Sequence, residues 1–409
     1  MKYSISQTKL RQRSDLTFKH NLSKGRHGWF RLTPAYSVKI VDDILKKNYK
    51  DIKILDPFSG TGTTVLCAAM KGLHAQGLDI NPFLVWLSNA KVARYDRDIV
   101  DNTRACAGKI VQLIASNKIE KMNPPDIFNI KRWWDKDQLE YLCKVMQGIC
   151  ELEPSPGPTK DLLLIAFCRT LITLSNAAFN HQSMSFKEAQ KQELTGCVLD
   201  SFEKDVDIIL QGAMMNPNGS GIVENEDARS MKKLEGQEFD LLITSPPYPN
   251  RMSYIRELRP YMYWLGYINK AREAGELDWK AIGGTWGVAT SRLLEWKKAE
   301  KVFSPEYLPE ILEAIALSDA KSGTLLANYV GKYFEDVWAH IVSMTKIMKP
   351  NGEVHYIIGN SKFYDIMVPS ESIYCDMLKE AGMSRCEIRP LRKRNSKKEL
   401  YEYDIVAWK

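Results

Sequence analysis

Long apolar stretches are absent from this sequence. None of its 409 residues belongs to an uninterrupted apolar run of about 18 residues, the length at which a transmembrane helix becomes a candidate. The amino-terminal segment MKYSISQTKLRQRSDLTFKH also lacks the apolar stretch of a secretory signal. We therefore expect a cytoplasmic protein that has no membrane partner.

Cysteine is scarce and scattered. The chain has no Cys-x-x-Cys pair, and no Cys/His cluster has the spacing of zinc ligands. These absences predict reduced, mostly buried thiols and no bound metal. The eight residues are Cys67, Cys106, Cys143, Cys150, Cys168, Cys197, Cys375 and Cys386.

A strong excess of one charge is also absent, since the formal net charge is only +7. The basic residues cluster, however, in KLRQR near the start of the chain and in RPLRKRNSKK near its end. Such clusters suit a polyanionic partner, and they suit solvated surface loops equally well. With 44% apolar residues, the chain is predicted to form a globular protein of two or three ordinary domains or one large one.

Two common nucleotide-binding motifs are missing, the Walker loop and the dinucleotide loop GxGxxG. The chain has instead DPFSGTGTT at residues 56–64, directly after the apolar segment IKIL. Gly60 and Gly62 would let the backbone approach a ligand closely, and the predicted helix that follows presents free N–H groups. We interpret this segment as a ligand-binding loop, with a purely structural turn as the alternative.

The order of predicted elements indicates the fold class. A strand, the glycine loop, a helix, a second strand in LHAQGLD and a second helix form a βαβ start, which predicts an α/β fold with a doubly wound, mostly parallel sheet. Helical patterns from about residue 96 to 215 predict an insertion in which Trp133 and Trp134 are core residues. Upstream, PAYSVKIVDDILKKN predicts a helix with Thr33 as its N-cap and Pro34 as its first residue.

Two more segments place polar groups at the ends of predicted strands. Asp79 ends the second strand about 20 residues after the glycine loop, a position suited to ribose hydroxyls, with a helix N-cap as the alternative. The segment LLITSPPYPN at 241–250 ends another buried strand with a hydroxyl group, rigid prolines and an aromatic ring. It predicts a pocket for a planar polar group on the same rim as the glycine loop.

The combination of DPFSGTG and a later SPPY resembles the amino-directed DNA methyltransferases, and the Ser-Pro-Pro-Tyr form is similar to their N4-cytosine members. RHGWFRLTP and ENEDARS resemble that family's N-terminal and third motifs. The resemblance implies a mostly parallel seven-stranded sheet whose reversed hairpin comes from RCEIRPL and YDIVAWK. We assign residues 1–95, 221–264 and 331–409 to the methyltransferase domain and residues 96–220 to the helical insertion. Target recognition falls to the inserted segments 96–220, 265–330 or both, and 265–330 is the favoured candidate because it directly follows the Ser-Pro-Pro-Tyr pocket.

The resemblance also implies S-adenosylmethionine as the cofactor and assigns roles to single residues. A catalytic base pocket would be formed by Ser245, Pro246, Pro247 and Tyr248; Ser245 and the Pro246 carbonyl would accept hydrogen bonds from the target amine, and Tyr248 would stack on the base. Asp79 would hold the ribose and Asp227 the adenine amine. The expected cofactor residues are Thr33, Pro34, Asp56, Pro57, Phe58, Ser59, Gly60, Gly62, Thr63, Asp79, Ile80, Asp227 and Ala228.

The implied reaction is methylation of the N4 amine of a cytosine flipped out of specific double-stranded DNA, by the partner of a cognate restriction endonuclease. Candidate phosphate contacts are Arg251 beside the pocket and Arg392, Lys393 and Arg394 in the basic cluster. The alternatives are an adenine-N6 enzyme of the same fold, an RNA methyltransferase and a non-catalytic nucleic-acid-binding protein. Ser245 favours cytosine, because adenine-directed enzymes more often carry Asp or Asn at that position.

Overall fold

The computed structural model describes residues 10–47, 49, 51–178, 185–186, 198–285, 288–300, 302–394 and 399–409. A central sheet is formed by β1 Lys53–Asp56, β2 His74–Asp79, β3 Ser220–Asn225, β4 Phe239–Thr244, β5 Met348–Gly359, β6 Arg385–Lys393 and β7 Tyr401–Trp408. Two short antiparallel ribbons pair Ala177–Ala178 with Ser185–Phe186 and Ser361–Phe363 with Ile366–Val368.

Helices cover both faces of this sheet and connect its strands. They are α1 Phe18–Asn21, α2 Val38–Ile44, α3 Thr63–Met70, α4 Pro82–Val92, α5 Arg97–Ala115, α6 Ile130–Trp133, α7 Lys136–Leu152, α8 Pro158–Thr173, α9 Leu199–Ala213, α10 Tyr254–Trp264, α11 Ala271–Lys280, α12 Val288–Glu295, α13 Leu308–Leu317, α14 Gly323–Ile347 and α15 Ser370–Glu380.

The seven strands lie in the order β6-β7-β5-β4-β1-β2-β3. Strands β1 to β5 run parallel to one another, and β7 is antiparallel to both of its neighbours, β5 and β6. The predicted fold class is therefore confirmed, including the reversed hairpin at one end of the sheet. Because the chain moves outward from β1 towards β3 and then returns to β4, a crevice opens between the carboxyl ends of β1 and β4, where such sheets bind ligands.

The strands at the centre of the sheet are apolar because helices cover both of their faces. Ile54 and Leu55 of β1 and Leu242 and Ile243 of β4 have no exposed surface. Side chains that alternate along these strands contribute to two separate hydrophobic clusters, one beneath α2 and α3 and the other beneath α14 and α15. Continuous apolar runs of this kind are typical of parallel strands that are buried on both sides.

Helices α5 to α9 come between α4 and β3 in the sequence and pack together in a helical layer. Trp133 and Trp134 are buried in this layer, as predicted, and the indole Nε1 of Trp134 donates a hydrogen bond to the carbonyl of Leu171 at 2.8 Å. Trp264, at the end of α10, packs edge-on against Trp134 with ring centroids 5.8 Å apart. The helical layer is thereby joined to the helix that follows the Ser-Pro-Pro-Tyr segment.

Two local expectations differ from the structure. Helix α2 begins at Val38 with Ser37 as its N-cap, because the hydroxyl of Thr33 is hydrogen-bonded to Glu257 of α10 instead of capping a helix. Cys375 and Cys386 are joined in a disulfide with Cα atoms 5.8 Å apart, so the expectation of reduced thiols is wrong for this pair.

Within the described residues, no helix has both the length and the apolar character that a membrane span requires.

Candidate functional site

A cleft opens at the carboxyl ends of β1, β2 and β4, where the predicted motifs meet. The space within this cleft, counting the part that is open to solvent, is about 930 Å³. Three segments with predicted roles line it: the glycine loop, the end of β2 and the Ser-Pro-Pro-Tyr segment. The predicted site residues in its wall are Pro34, Pro57, Phe58, Ser59, Gly60, Thr63, Asp79, Ile80, Asp227, Ala228, Ser245 and Pro247.

The glycine loop turns sharply from β1 into α3. Gly60 and Gly62 have φ angles of 54° and 75°, in the left-handed region that favours glycine. Gly62 also lies against α4, where a Cβ atom would come within 2.9 Å of the Ser88 hydroxyl. Gly62 therefore shapes the loop from behind and is not part of the cleft wall, whereas Gly60 faces the cleft.

Asp79 links the end of β2 to the glycine loop. Its carboxylate accepts hydrogen bonds from the backbone amides of Gly60 at 2.9 Å and Asn81 at 2.8 Å. The N-cap of α4 is Asn81, so Asp79 does not have the alternative capping role. Burial raises the pKa of Asp79 to about 7, and the two amide hydrogen bonds oppose this shift.

Asp56 lies behind the cleft and connects β1 to β4. It has no exposed surface, and its Oδ1 accepts hydrogen bonds from Thr244 Oγ1 at 2.5 Å and from the Phe58 amide at 3.1 Å. Burial raises the pKa of Asp56 to about 6, against the effect of these hydrogen bonds. Asp56 thus holds the glycine loop and the strand that carries Ser245 in a fixed relationship.

Thr33 and Pro34 take different positions at the amino-terminal side of the cleft. Pro34 is in the wall, while Thr33 lies behind it, with its amide and its hydroxyl both donating to Glu257 Oε1 at 3.0 and 2.9 Å. Glu257 belongs to α10, and burial raises the pKa of its carboxyl group. These bonds fasten the amino-terminal segment to the helix that follows the Ser-Pro-Pro-Tyr segment.

Asp227 is held in place by Arg229. Two of the Arg229 nitrogens donate to the Asp227 carboxylate at 2.7 to 3.1 Å, and a third donates to Asp336 at 2.9 Å. Burial tends to raise the pKa of Asp227, but the hydrogen bonds and charge of Arg229 outweigh it and keep that pKa below its usual value. The Asp227 carboxylate is therefore fixed and charged at the cleft wall.

The Ser-Pro-Pro-Tyr segment has its backbone and its serine anchored. The Ser245 hydroxyl donates to the carbonyl of Ile357 at 3.0 Å. The Pro247 carbonyl accepts a hydrogen bond from Tyr333 at 2.7 Å, and the Tyr248 amide donates to the Tyr254 hydroxyl at 3.0 Å. Ser245 and Pro247 line the cleft, Pro246 is buried, and Tyr248 is partly exposed outside the cleft wall.

The four basic residues expected at DNA occupy different environments. Arg251 is exposed, has a positive φ of 59° and forms no ion pair within the described ranges. Lys393 is partly exposed, and its backbone amide donates to the carbonyl of Arg11. Arg392 and Arg394 instead point inward: Arg392 pairs with Glu402, and Arg394 lies over the ring of Tyr248.

Helix α10, the end of α11 and the residues after it add wall residues that sequence reasoning missed. Tyr254, Ile255 and Leu258 share one face of α10 and line the cleft, and Lys280 and Ile282 close it on another side. The helical spacing in YIRELRPYMYW, directly after the Ser-Pro-Pro-Tyr segment, could have indicated the first three. No local pattern marks Lys280 and Ile282, because their position depends on how α11 packs.

The donors and acceptors of the wall fit S-adenosylmethionine. The Ser59 hydroxyl is buried in the wall without a hydrogen-bond partner, and Asp79 and Asp227 present carboxylate oxygens that can accept from hydroxyl and amine groups. Beside them, Phe58 and Leu84 supply apolar surface for a planar ring. Within the described residues, no group of His, Cys, Asp or Glu side chains has the arrangement of a metal site.

Sequence comparison links the chain to proteins described as type II methyltransferases. M.BsoBI of Geobacillus stearothermophilus is 22% identical over 98% of this chain and 88% of its own length. M.MvaI of Kocuria varians is 23% identical over 80% of this chain and 74% of its own length. M.AvaI of Anabaena variabilis is 19% identical over 95% and 86%. No protein-family model matches the chain.

Two solved structures are also similar in part. TrmN from Thermus thermophilus is 9% identical with a TM-score of 0.29, over 97% of this chain and 53% of that protein. The rRNA methyltransferase aviRa from Streptomyces viridochromogenes is 8% identical with a TM-score of 0.30, over 97% and 94%. TM-scores this low carry no argument for fold or function. The sequence relationship to type II methyltransferases, in contrast, agrees with the family resemblance of the two motifs.

Proposed function

We propose that this relative of the type II methyltransferases is a DNA methyltransferase that modifies the exocyclic N4 of cytosine with S-adenosylmethionine. The observation that carries the proposal is the meeting of two motifs at one cleft. Ser59 and Gly60 of the glycine loop line the same cleft as Ser245 and Pro247. The Asp56–Thr244 hydrogen bond joins the two strands from which these segments emerge.

S-adenosylmethionine, when bound, supplies an electrophilic methyl group. Asp79 is assigned to the ribose hydroxyls, because each of its oxygens keeps a free lone pair after accepting one amide. Asp227, charged and fixed by Arg229, is assigned to the adenine amine. The wall residues Pro34, Pro57, Phe58, Ser59, Gly60, Thr63, Ile80 and Ala228 complete the cofactor site, with Thr33, Asp56 and Gly62 supporting it from behind.

Ser245 is assigned to hold the target amine. Its hydroxyl proton is used in the bond to Ile357, so its oxygen can only accept a hydrogen bond from the cleft side. The Pro246 carbonyl is proposed as the second acceptor, since the Pro247 carbonyl is already bonded to Tyr333. Two acceptors draw the amine nitrogen towards tetrahedral geometry, which frees its lone pair for attack and aligns it with the methyl group.

A base in duplex DNA must leave the helix to reach this cleft, at a cost of about a few kcal/mol. Arg251, exposed near the pocket, is the proposed phosphate contact that offsets part of this cost. Residues 265–330, which include α11, α12 and α13, are proposed to read the target sequence, in a cytoplasmic enzyme paired with a cognate endonuclease. The similarity to type II methyltransferases supports DNA as the substrate.

Nucleoside mass spectrometry tests the proposal. The purified chain is incubated with S-adenosylmethionine and unmodified duplex DNA, and in parallel with structured RNA. We expect N4-methylcytosine in the DNA and no methylated base in the RNA. N6-methyladenine alone would replace the cytosine assignment with the adenine one. Methylated RNA with unmodified DNA would replace the substrate, and binding of DNA without any cofactor affinity would indicate a non-catalytic protein.

A further inference from the structure

Tyr248 is held on two sides by residues from the carboxyl-terminal hairpin. Its hydroxyl donates to Glu402 Oε1 at 2.9 Å, and Glu402 is only 3% exposed. The guanidinium carbon of Arg394 lies 5.0 Å from the centre of the Tyr248 ring. One edge and one face of the ring are therefore occupied by side chains of this protein.

Arg392 completes the support behind Glu402. Its Nε and Nη2 donate to the two Glu402 oxygens at 2.7 and 3.0 Å, and its side chain is 15% exposed. A turn of Arg392 towards DNA would leave the buried Glu402 carboxylate without its counter-charge, which is strongly unfavourable. This geometry opposes the expected role of Arg392 as a phosphate contact.

Arg394 is also fixed in place. Its Nη1 donates to the carbonyl of Asn360 at 2.8 Å, and its own amide donates to the Leu400 carbonyl at 2.7 Å. The guanidinium fills the space next to Gly359, where a Cβ atom would come within 2.2 Å of Nη1. In the register of the sheet, Gly359 of β5 lies opposite Glu402 of β7, and Glu402 lies opposite Arg392 of β6. The sheet itself thus brings this group together behind Tyr248.

We propose that Arg394 and the Arg392–Glu402 pair are positioning residues of the base pocket and not phosphate contacts. Arg394 covers one face of the Tyr248 ring and Glu402 fixes its hydroxyl, so that the position of the ring is set before a target base binds. Guanidinium groups stack well on aromatic rings, and a ring held at two points is pre-organised for stacking. The inference rests on the proposed methyltransferase function.

The test separates chemistry from DNA binding in three variants, Arg394→Met, Gly359→Ala and Arg251→Met. We expect Arg394→Met to lower the single-turnover methylation rate at least about tenfold, since misplaced groups lose rate steeply. Its DNA dissociation constant and the salt dependence of that constant should stay at the wild-type values. Gly359→Ala should reproduce this loss, because the added methyl group displaces the guanidinium without altering Arg394. Arg251→Met should instead weaken DNA binding and reduce the salt slope by about one.

The inference is overturned if Arg394→Met matches Arg251→Met in affinity and salt slope, or methylates at the wild-type rate. Arg394→Lys gives an independent check if thermal unfolding shows that Arg394→Met does not fold. A lysine keeps the charge for phosphate but loses the planar group, so a slow rate with an unchanged salt slope supports positioning, and wild-type behaviour opposes it. Failure of the wild-type chain to methylate any DNA would reject the proposed function itself, and needs no variant to detect.

Discussion

Thr244 donates a hydrogen bond to Asp56 at 2.5 Å, and this contact joins the last residue of β4 to the last residue of β1. Asp56 opens the glycine loop, and Thr244 directly precedes Ser245. The contact therefore fixes the distance between the proposed cofactor loop and the proposed base pocket. Its second consequence is electrostatic: burial raises the pKa of Asp56, the hydrogen bond from Thr244 opposes that rise, and the resulting pKa is about 6.

The first prediction concerns Thr244→Val, which keeps the shape of the side chain and removes its donor. We expect a loss of about 1–3 kcal/mol in the free energy of unfolding, since the buried Asp56 loses a hydrogen bond. Cofactor affinity, measured by calorimetry, should fall as the glycine loop loosens. Thr244→Ser retains the hydroxyl and is the matched control. Equal stability of the valine and serine variants would show that the bond has no structural weight.

A second prediction concerns Asp79→Asn in the absence of cofactor. Burial raises the pKa of Asp79 from 3.8 to about 7, so the folded wild-type protein binds a proton that the unfolded chain releases, and this contribution to stability is lost as the pH rises from about 4 to 7. Asparagine has no such loss. Because the carboxyl group is partly open to the cleft, we expect the difference in unfolding free energy to shift by about 2 kcal/mol in favour of the variant between pH 5 and 8.

Denaturant unfolding at the two pH values measures that shift, and calorimetry with S-adenosylmethionine gives the accompanying loss of affinity. Asp240→Asn is a suitable control, because Asp240 lies near the amino end of β4, whereas Asp79 lies at the carboxyl end of β2. The Asp240 carboxylate accepts hydrogen bonds from the Lys53 amide and from Lys349 Nζ. A pH-independent difference between Asp79→Asn and the wild type would contradict the raised pKa.

The sequence was sufficient to predict a doubly wound, mostly parallel sheet and to place the glycine loop and the Ser-Pro-Pro-Tyr segment on one rim of it. Two strand ends are recognisable because apolar runs stop at Asp56 and Thr244, and Asp79 follows the glycine-loop helix at the spacing of a βαβ unit. Parallel strands bring those ends to one edge of the sheet. Local patterns were less informative about partners. Thr33 had the pattern of an N-cap, but Glu257 of α10 takes its hydroxyl, and nothing near Thr33 in sequence indicates that contact.

The basic cluster shows the same limit. Arg392 and Arg394 look like surface cations in RPLRKR, because their partners Glu402 and Tyr248 come near only when the hairpin closes against β5. Helix α10 was readable as a helix, but its contribution to the cleft depends on how it packs against Phe30 and against Phe83 of α4. Residues whose roles depend on backbone shape were thus predictable, while those whose roles depend on distant side chains were not.

A third prediction concerns Lys91, a fully buried lysine whose Nζ donates to the Thr61 carbonyl of the glycine loop at 2.7 Å. Burial lowers its pKa from 10.5 to about 7, so the unfolded chain binds the extra proton and stability rises with pH between about 7 and 10.5. Lys91→Met removes this dependence. We expect the variant to be more stable than the wild type at pH 7 by about 2–4 kcal/mol, after subtracting the lost hydrogen bond.

Unfolding measured at pH 7 and pH 9.5 checks this, with the variant's advantage expected to shrink at the higher pH. Lys71→Met is the control, because Lys71 pairs with Asp42 at the surface. An advantage that does not change with pH would mean that the Lys91 amine is charged at both pH values. The hydrogen bond to Thr61, and not burial, would then determine the pKa of Lys91.

The last prediction concerns Ser245→Ala, which removes the proposed acceptor for the target amine. Loss of one hydrogen bond that strengthens in the transition state lowers the rate about a hundredfold or more. We therefore expect the single-turnover methylation rate to fall about a hundredfold. The cofactor dissociation constant should change less than about twofold, because other residues are assigned to the cofactor. Ser384→Ala is the matched control: its hydroxyl also donates to a backbone carbonyl, that of Trp408 at 3.0 Å, but just before the start of β6, at the opposite edge of the sheet. Equal losses of rate and cofactor affinity in Ser245→Ala would show that the serine supports the fold of the cleft and does not act on the amine.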